Sequence, residues 1–244
     1  MKLVRHLVAV APLLAALSGC MLTYSPPIRG AHGGAPVPPS RPWLEAALLG
    51  PAGGYQGTLR MPLGRKVEML VGGQGSEVQM MGFLGARLHP LAERSREQAT
   101  LERPVVDLEL EAGFGFGAGG ELYCDEYEGA CEDDRDPMQR TAYGGFAGLG
   151  VAYWAEPWFA LYGRTLLQGS KASGIPYTSW ATMLTGLQFV VGPVGAHFGI
   201  GYGGYHNTAD AEDSLVLELG LSVTLGPRVV TPKGPPGGRG AALR

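Results

Sequence analysis

The stretch from Leu215 to Leu225 alternates without a break. Leu215, Leu217, Leu219, Leu221, Val223 and Leu225 take one set of positions, and Ser214, Val216, Glu218, Gly220, Ser222 and Thr224 the other. Side chains of a β-strand point alternately to opposite faces, so an extended chain sorts these sets onto two sides of a sheet; a helix would scatter them round its axis. The pattern recurs. Val106, Leu108, Leu110, Ala112, Phe114 and Phe116 alternate with Asp107, Glu109, Glu111, Gly113 and Gly115, and Val194, Ala196, Phe198, Ile200 and Tyr202 alternate with Gly195, His197, Gly199, Gly201 and Gly203. Tyr143, Ala147, Leu149, Val151 and Tyr153 lie opposite Gly144, Phe146, Gly148 and Gly150, and Phe159, Leu161 and Leu167 opposite Tyr162, Arg164 and Gln168. Alternation is weaker over 66–74, 77–88 and 179–191.

Turn signals separate these segments, tight at Gly75-Ser76, Glu156-Pro157 and Gly192-Pro193 and longer and polar over 89–103, 122–139, 170–177 and 207–213. The predicted fold is all-β, an antiparallel up-and-down membrane β-barrel of about eight strands of roughly ten residues, the length that crosses a bilayer at a tilt. The two faces decide between membrane and water. A soluble sandwich carries Lys, Glu and Thr outward, whereas here the face opposite the bulky residues is largely glycine, drawn from 40 glycines in the chain. Such a row makes a poor solvent surface and suits the crowded interior of a small barrel, leaving the leucines to face lipid. Tyr153, Trp154, Trp158 and Phe159 at one tight turn, with Tyr177, Trp180, Tyr202 and Tyr205 near other strand ends, fit interfacial girdles. This pattern, over about residues 66–225, resembles the small outer-membrane barrels of the OmpA/OmpX-like family. That resemblance implies lipid and the barrel-assembly machinery as partners. The chain departs from the family where a terminal aromatic is usual, ending its last strand at Leu225-Gly226-Pro227.

Residues 1–19 read as a secretory signal: Lys2 and Arg5, then an apolar run too short to span a bilayer as a helix. Leu17-Ser18-Gly19-Cys20 resembles the lipobox of bacterial lipoproteins, which implies that Cys20 is acylated and becomes the N-terminus, and the absence of Asp after it favours the outer membrane. Residues 20–53 are rich in Pro and Gly and read as an irregular tether, with one short helix over Pro42–Leu49; the barrel is expected over 54–226, with 54–61 as an extended lead-in, and a disordered tail over 227–244. An even strand number puts the tether, the tail and the turns at Glu156-Pro157 and Gly192-Pro193 on the periplasmic side and the longest loop outside.

The inward face carries Glu68, Glu77, Asp107, Glu109, Glu111 and Glu218, opposed by Arg87, Arg164 and His197. Unpaired charges there would be costly, so a salt-bridged plug is expected, with Arg164 paired to Glu218 or Glu111, and a proton or ion path as the rival. Cys124 and Cys131 lie in the longest loop; a disulfide is the reading for an oxidising compartment, and a Ca²⁺ ion held by the acidic residues of 125–136 the rival. No other metal or cofactor is implied, and a net charge of −3 gives no reason to expect nucleic acid. The function that follows is a plugged outer-membrane barrel lipoprotein, not an enzyme, in a structural or adhesive envelope role. Two alternatives stay open: a lipid-anchored soluble barrel of lipocalin type, with its apolar faces inward, and a lipid hydrolase using His206 and Ser214.

Overall fold

The computed structural model describes residues 24–37, 40–50, 54–76, 79–91, 96–119, 140–208 and 211–226. Ten strands follow one another: β1 (Trp43–Gly50), β2 (Gly54–Pro62), β3 (Val67–Ser76), β4 (Gln79–Leu88), β5 (Val105–Gly119), β6 (Thr141–Glu156), β7 (Phe159–Ala172), β8 (Thr178–Val191), β9 (Val194–His206) and β10 (Ala211–Thr224). Each pairs antiparallel with its neighbours in sequence, and β1 closes on β10 from Trp43 opposite Thr224 to Gly50 opposite Leu217. The architecture is a closed up-and-down barrel of ten strands, not about eight.

The two additional strands come from the region read as helix and lead-in. Over 43–50 the helical reading grouped Trp43, Leu44 and Leu48 on one face. The structure instead buries Trp43, Glu45 and Ala47 and exposes Leu44 and Leu48, an alternation of period two. Pairing on both edges, to β10 and β2, overrides the helix preference of Leu and Ala. In β2 the inward residues are Gln56, Thr58 and Arg60 and Tyr55 faces out, so the region read as a lead-in is a strand whose polar face looks into the barrel.

Closure fixes which side of every strand is enclosed. Leu219 is 56 % exposed and Glu218 beside it 0 %. Leu44, Val106, Leu110, Phe114, Leu149, Leu161, Met183, Phe198 and Leu221 are all exposed, while Asp107, Glu109, Arg164 and His197 are buried. The bulky apolar faces therefore form the outside wall.

The barrel has two distinct ends. At the turn end lie the β2–β3 connection, Pro157-Trp158, Gly192-Pro193 and the start of β1, where Leu225 N–H bonds the Pro42 carbonyl at 2.7 Å. The connection from β4 to β5 is also here and contains a 3₁₀ turn, Arg96–Gln98. The Arg96 guanidinium lies over the rings of Trp43 (5.9 Å) and Trp154 (5.7 Å) and donates to the Pro157 carbonyl at 3.1 Å. That long connection thus folds against the turn end. At the loop end lie the β7–β8 and β9–β10 connections and the link between Gly119 and Arg140.

Candidate functional site

The interior is filled by the chain's own N-terminal segment. Residues 24–37, read from sequence as part of a tether, run inside the barrel: Ile28, Arg29, Ala31, His32 and Ala35 are each at most 1 % exposed. The segment is irregular, as Pro26, Pro27, Gly33, Gly34 and Pro36 require, and beyond a single bridge at Tyr24 it forms no strand. A buried backbone must still pair its polar groups. Here inward side chains do what a neighbouring strand would do.

Two glutamines bond the segment reciprocally. Gln168 accepts Arg29 N–H at 2.7 Å and donates to the Arg29 carbonyl at 2.7 Å. Gln56 accepts Ala31 N–H at 3.0 Å and donates to the Ala31 carbonyl at 3.2 Å. Gln74 donates to the Pro27 carbonyl at 2.6 Å, and Gln188 accepts Ala35 N–H at 2.5 Å. Glu218 takes two successive N–H groups, His32 at 2.7 Å and Gly33 at 2.8 Å, and Glu45 takes Gly34 N–H at 3.1 Å. Trp154 closes the series at the turn end by donating Nε1–H to the Pro36 carbonyl at 2.9 Å.

Space comes from glycine on both partners. A Cβ on Gly34 would sit 2.0 Å from Gln188 Oε1, and one on Gly115 of β5 2.5 Å from Ile28 Cγ2. Gly33 has φ +84°, a left-handed conformation that a Cβ disfavours, at the point where Glu218 and Glu45 grip adjacent N–H groups.

Around the segment runs a network of buried ions. Arg60 donates to Glu68 from Nε at 3.0 Å and Nη2 at 2.8 Å, and Arg87 Nε lies 2.7 Å from Glu111 and 3.1 Å from Glu109. Arg29 joins from the segment, with Nη1 2.7 Å from Glu111 and its guanidinium over the rings of Phe83 (5.2 Å) and Phe146 (5.1 Å). His197 Nε2 meets Glu218 at 2.9 Å, and His89 Nδ1 meets Asp107 at 2.8 Å. Burying ions is costly, and the attraction offsets the cost only where pairing and hydrogen bonding are nearly complete; removing one partner costs about 3–5 kcal/mol.

Glu68, Arg87, Asp107, Glu109, Glu111, Arg164, His197 and Glu218 all lie in this interior. One expected pairing differs. Arg164 bonds Glu109 and the His32 carbonyl rather than Glu218 or Glu111, because the segment passes between them and Glu218 is engaged by His32, Gly33 and His197. Sequence reading missed Arg29, Glu45, Arg60 and His89, which lie on the segment, on the unread strands and beside β4. It also missed the glutamines; their signal was an amide recurring at inward positions of several strands.

Two interior groups have ligand atoms within 4.8 Å of one another, Glu45–His197–Glu218 and Glu68–His89–Glu109. Arginine already supplies counter-charge to both: Arg60 lies 3.9 Å from Glu45, and Arg87 lies 3.5 Å from Glu68. They act as nodes of the ion network. His206 and Ser214 are both exposed, and the register sets Ser214 opposite Gly203 and His206 opposite Ala211. Cys20, Glu77, Cys124, Cys131 and the acidic residues of 125–136 lie outside the described residues. No family model matches this sequence, and a search of curated proteins finds no match.

Proposed function

We propose that this protein is an outer-membrane β-barrel lipoprotein with a plugged interior, acting in a structural or adhesive role at the cell envelope. One observation carries the reading. The wall is inverted relative to a soluble protein, with leucine, phenylalanine and valine outward all round and a paired ionic network inward. Soluble monomers seldom expose contiguous apolar patches beyond a few hundred Å². A closed barrel is also the one strand arrangement that pairs all its backbone groups within hydrocarbon. Trp158, Phe159 and Phe189 cluster at the turn end, with Trp158 and Phe189 stacked at 6.3 Å and both exposed, as an interfacial girdle requires.

Residues 24–37 act as the plug. Because they occupy the lumen and are bonded along their length, the barrel serves as a closed scaffold that presents its loop end, rather than as a channel. Orientation follows the rule for bacterial barrels, short turns toward the periplasm and longer loops outside. A soluble carrier of lipocalin type would need an open apolar cavity, whereas this interior combines a buried ion network with two apolar clusters and is already filled by residues 24–37. Family resemblance adds envelope lipid and the barrel-assembly machinery as partners.

The test is fractionation and gel mobility of the full chain. The protein should partition with outer membranes and migrate differently in detergent gels with and without boiling. A folded monomer obtained in detergent-free buffer after deletion of residues 1–20 would overturn the reading.

A further inference from the structure

The path of the lumen segment determines at which end of the barrel the chain's N-terminal side lies. At the turn end, Pro36 is bonded by Trp154, whose register partners are Val105, the first residue of β5, and Ala160 near the start of β7. At the other extreme, the ring of Tyr24 packs on Trp180 at 5.3 Å and Tyr205 at 5.2 Å, residues near the start of β8 and the end of β9. Ser25 fixes the same end. Its N–H bonds Thr178 Oγ1 at 2.9 Å, its hydroxyl donates to the Pro176 carbonyl at 2.9 Å, and its carbonyl accepts from Trp180 Nε1 at 3.0 Å. Read from Tyr24 to Val37, the chain runs from loop end to turn end, and β1 then starts at the turn end. In an ordinary even-stranded barrel the chain before β1 stays at the turn end with the C-terminal side. Here it has crossed the full height of the barrel.

We propose that the acyl group expected on Cys20 inserts into the leaflet bordering the loop end, which is the cell-surface leaflet, so that this protein is anchored by lipid from outside. The inference rests on the lipoprotein and barrel reading above. Cys20 and Tyr24 are four residues apart, and extended chain spans that in at most about 14 Å. The hydrocarbon core is about 30 Å thick. With Tyr24 held between Trp180 and Tyr205, four residues of chain are long enough to carry an acyl group to the loop-end rim and too short to carry it to the opposite leaflet. The wall at that rim is apolar outside: Tyr177, Met183 and Tyr202 are each more than half exposed.

The route requires no threading through a finished ring. The segment leads directly into β1, and β1 closes the barrel against β10. A sheet that curls with this seam still open can wrap round the segment and seal afterwards. Once sealed, withdrawal would leave Glu218, Gln56, Gln168 and Gln188 buried without their backbone partners, so the segment does not slip back.

The experiment uses the full chain in a Gram-negative host, with a short epitope inserted between Thr23 and Tyr24 and, separately, in the 227–244 tail. The N-terminal epitope should bind antibody on intact cells about as well as after permeabilisation, and the tail epitope only after permeabilisation. Metabolic acyl label should be present in the same protein and absent in Cys20→Ala. An N-terminal epitope hidden until permeabilisation, in a protein that is heat-modifiable and in the outer membrane, overturns the leaflet assignment and leaves the barrel reading standing. Absence from the outer membrane removes both. Should the insertion disturb assembly, Ser25→Cys with Thr178→Cys in the otherwise unaltered chain replaces it: an intramolecular cross-link in cells supports the route, and none in a folded barrel overturns it.

Discussion

Glu218 on the last strand accepts the backbone N–H of His32 at 2.7 Å, across 186 residues of chain. Its other oxygen takes Gly33 N–H at 2.8 Å and faces His197 Nε2 at 2.9 Å. Plug and wall therefore share one carboxylate. Glu218→Ala would strand two buried N–H groups and a histidine at once, and the loss should be about 3–5 kcal/mol. Glu218→Gln keeps one acceptor oxygen and should lose less. Urea unfolding in detergent micelles, followed by the heat-modified gel shift, measures both. Equal stability of Glu218→Ala and the unaltered chain would remove the plug from the energetics of the barrel.

Leu219, next along the chain, tests the outer face. Its neighbours across β1 and β9 are Leu48 and Phe198, all three exposed. In a bilayer, Leu219→Arg should destabilise by about 2–4 kcal/mol if that point lies at the midplane. For a soluble barrel the same exposed substitution would fall within about 0.5 kcal/mol. Folding titrations into lipid vesicles separate the two, with Leu219→Ala as control.

The faces of β5, β9 and β10 were legible because their inward and outward residues differ in size or polarity at nearly every step, Val216 beside Leu215 and Leu217 being an exception. Val106, Leu110, Phe114 and Phe116 point out, and Asp107, Glu109 and Glu111 point in, as period two requires. The first strand was hidden because Trp43-Leu44-Glu45-Ala46-Ala47-Leu48 is also a good helical sequence, and pairing on two edges decides it. The plug was hidden for a different reason. Beyond the bridge at Tyr24 its backbone bonds to side chains rather than to another backbone, so no alternation is imposed on it, and Pro and Gly gave it the composition of a linker. What it leaves in the sequence is on the wall: inward glutamines, and the carboxylates Glu45 and Glu218 that bind backbone as well as cations. The partner of Arg164 was misread for the same cause, since His32 occupies the space between it and Glu218.

Two glycines of the wall, one inward and one outward, should respond oppositely to a methyl group. Gly115 has no room for a Cβ, which would meet Ile28 Cγ2 at 2.5 Å and the Gly82 carbonyl oxygen at 2.7 Å. Gly115→Ala should cost about 1–3 kcal/mol through overpacking. Gly57 on the outer face has nothing within 4 Å of that position. Gly57→Ala should be neutral or should stabilise by up to about 1 kcal/mol by restricting the unfolded chain. The two variants, compared by urea midpoint at constant slope, check that interior space is reserved for the plug.

Removal of the plug should convert the barrel into a pore. Deleting residues 24–37 while keeping β1 takes away Ile28, Arg29, Ala31 and His32, all buried in the lumen. The remaining inward charges are Glu45, Glu68, Asp107, Glu109, Glu111 and Glu218 against Arg60, Arg87, Arg140 and Arg164, so acids still outnumber arginines. Rings of carboxylate favour cations. In planar bilayers the intact protein should be silent, and the deletion should conduct with a reversal potential on the cation side in a salt gradient. Exchanging Glu109 and Glu111 for Gln in the deletion background should weaken that preference, because both then lose the charge exposed to the opened lumen. Steady conductance from the intact protein would mean that the segment is not seated in the membrane-bound state.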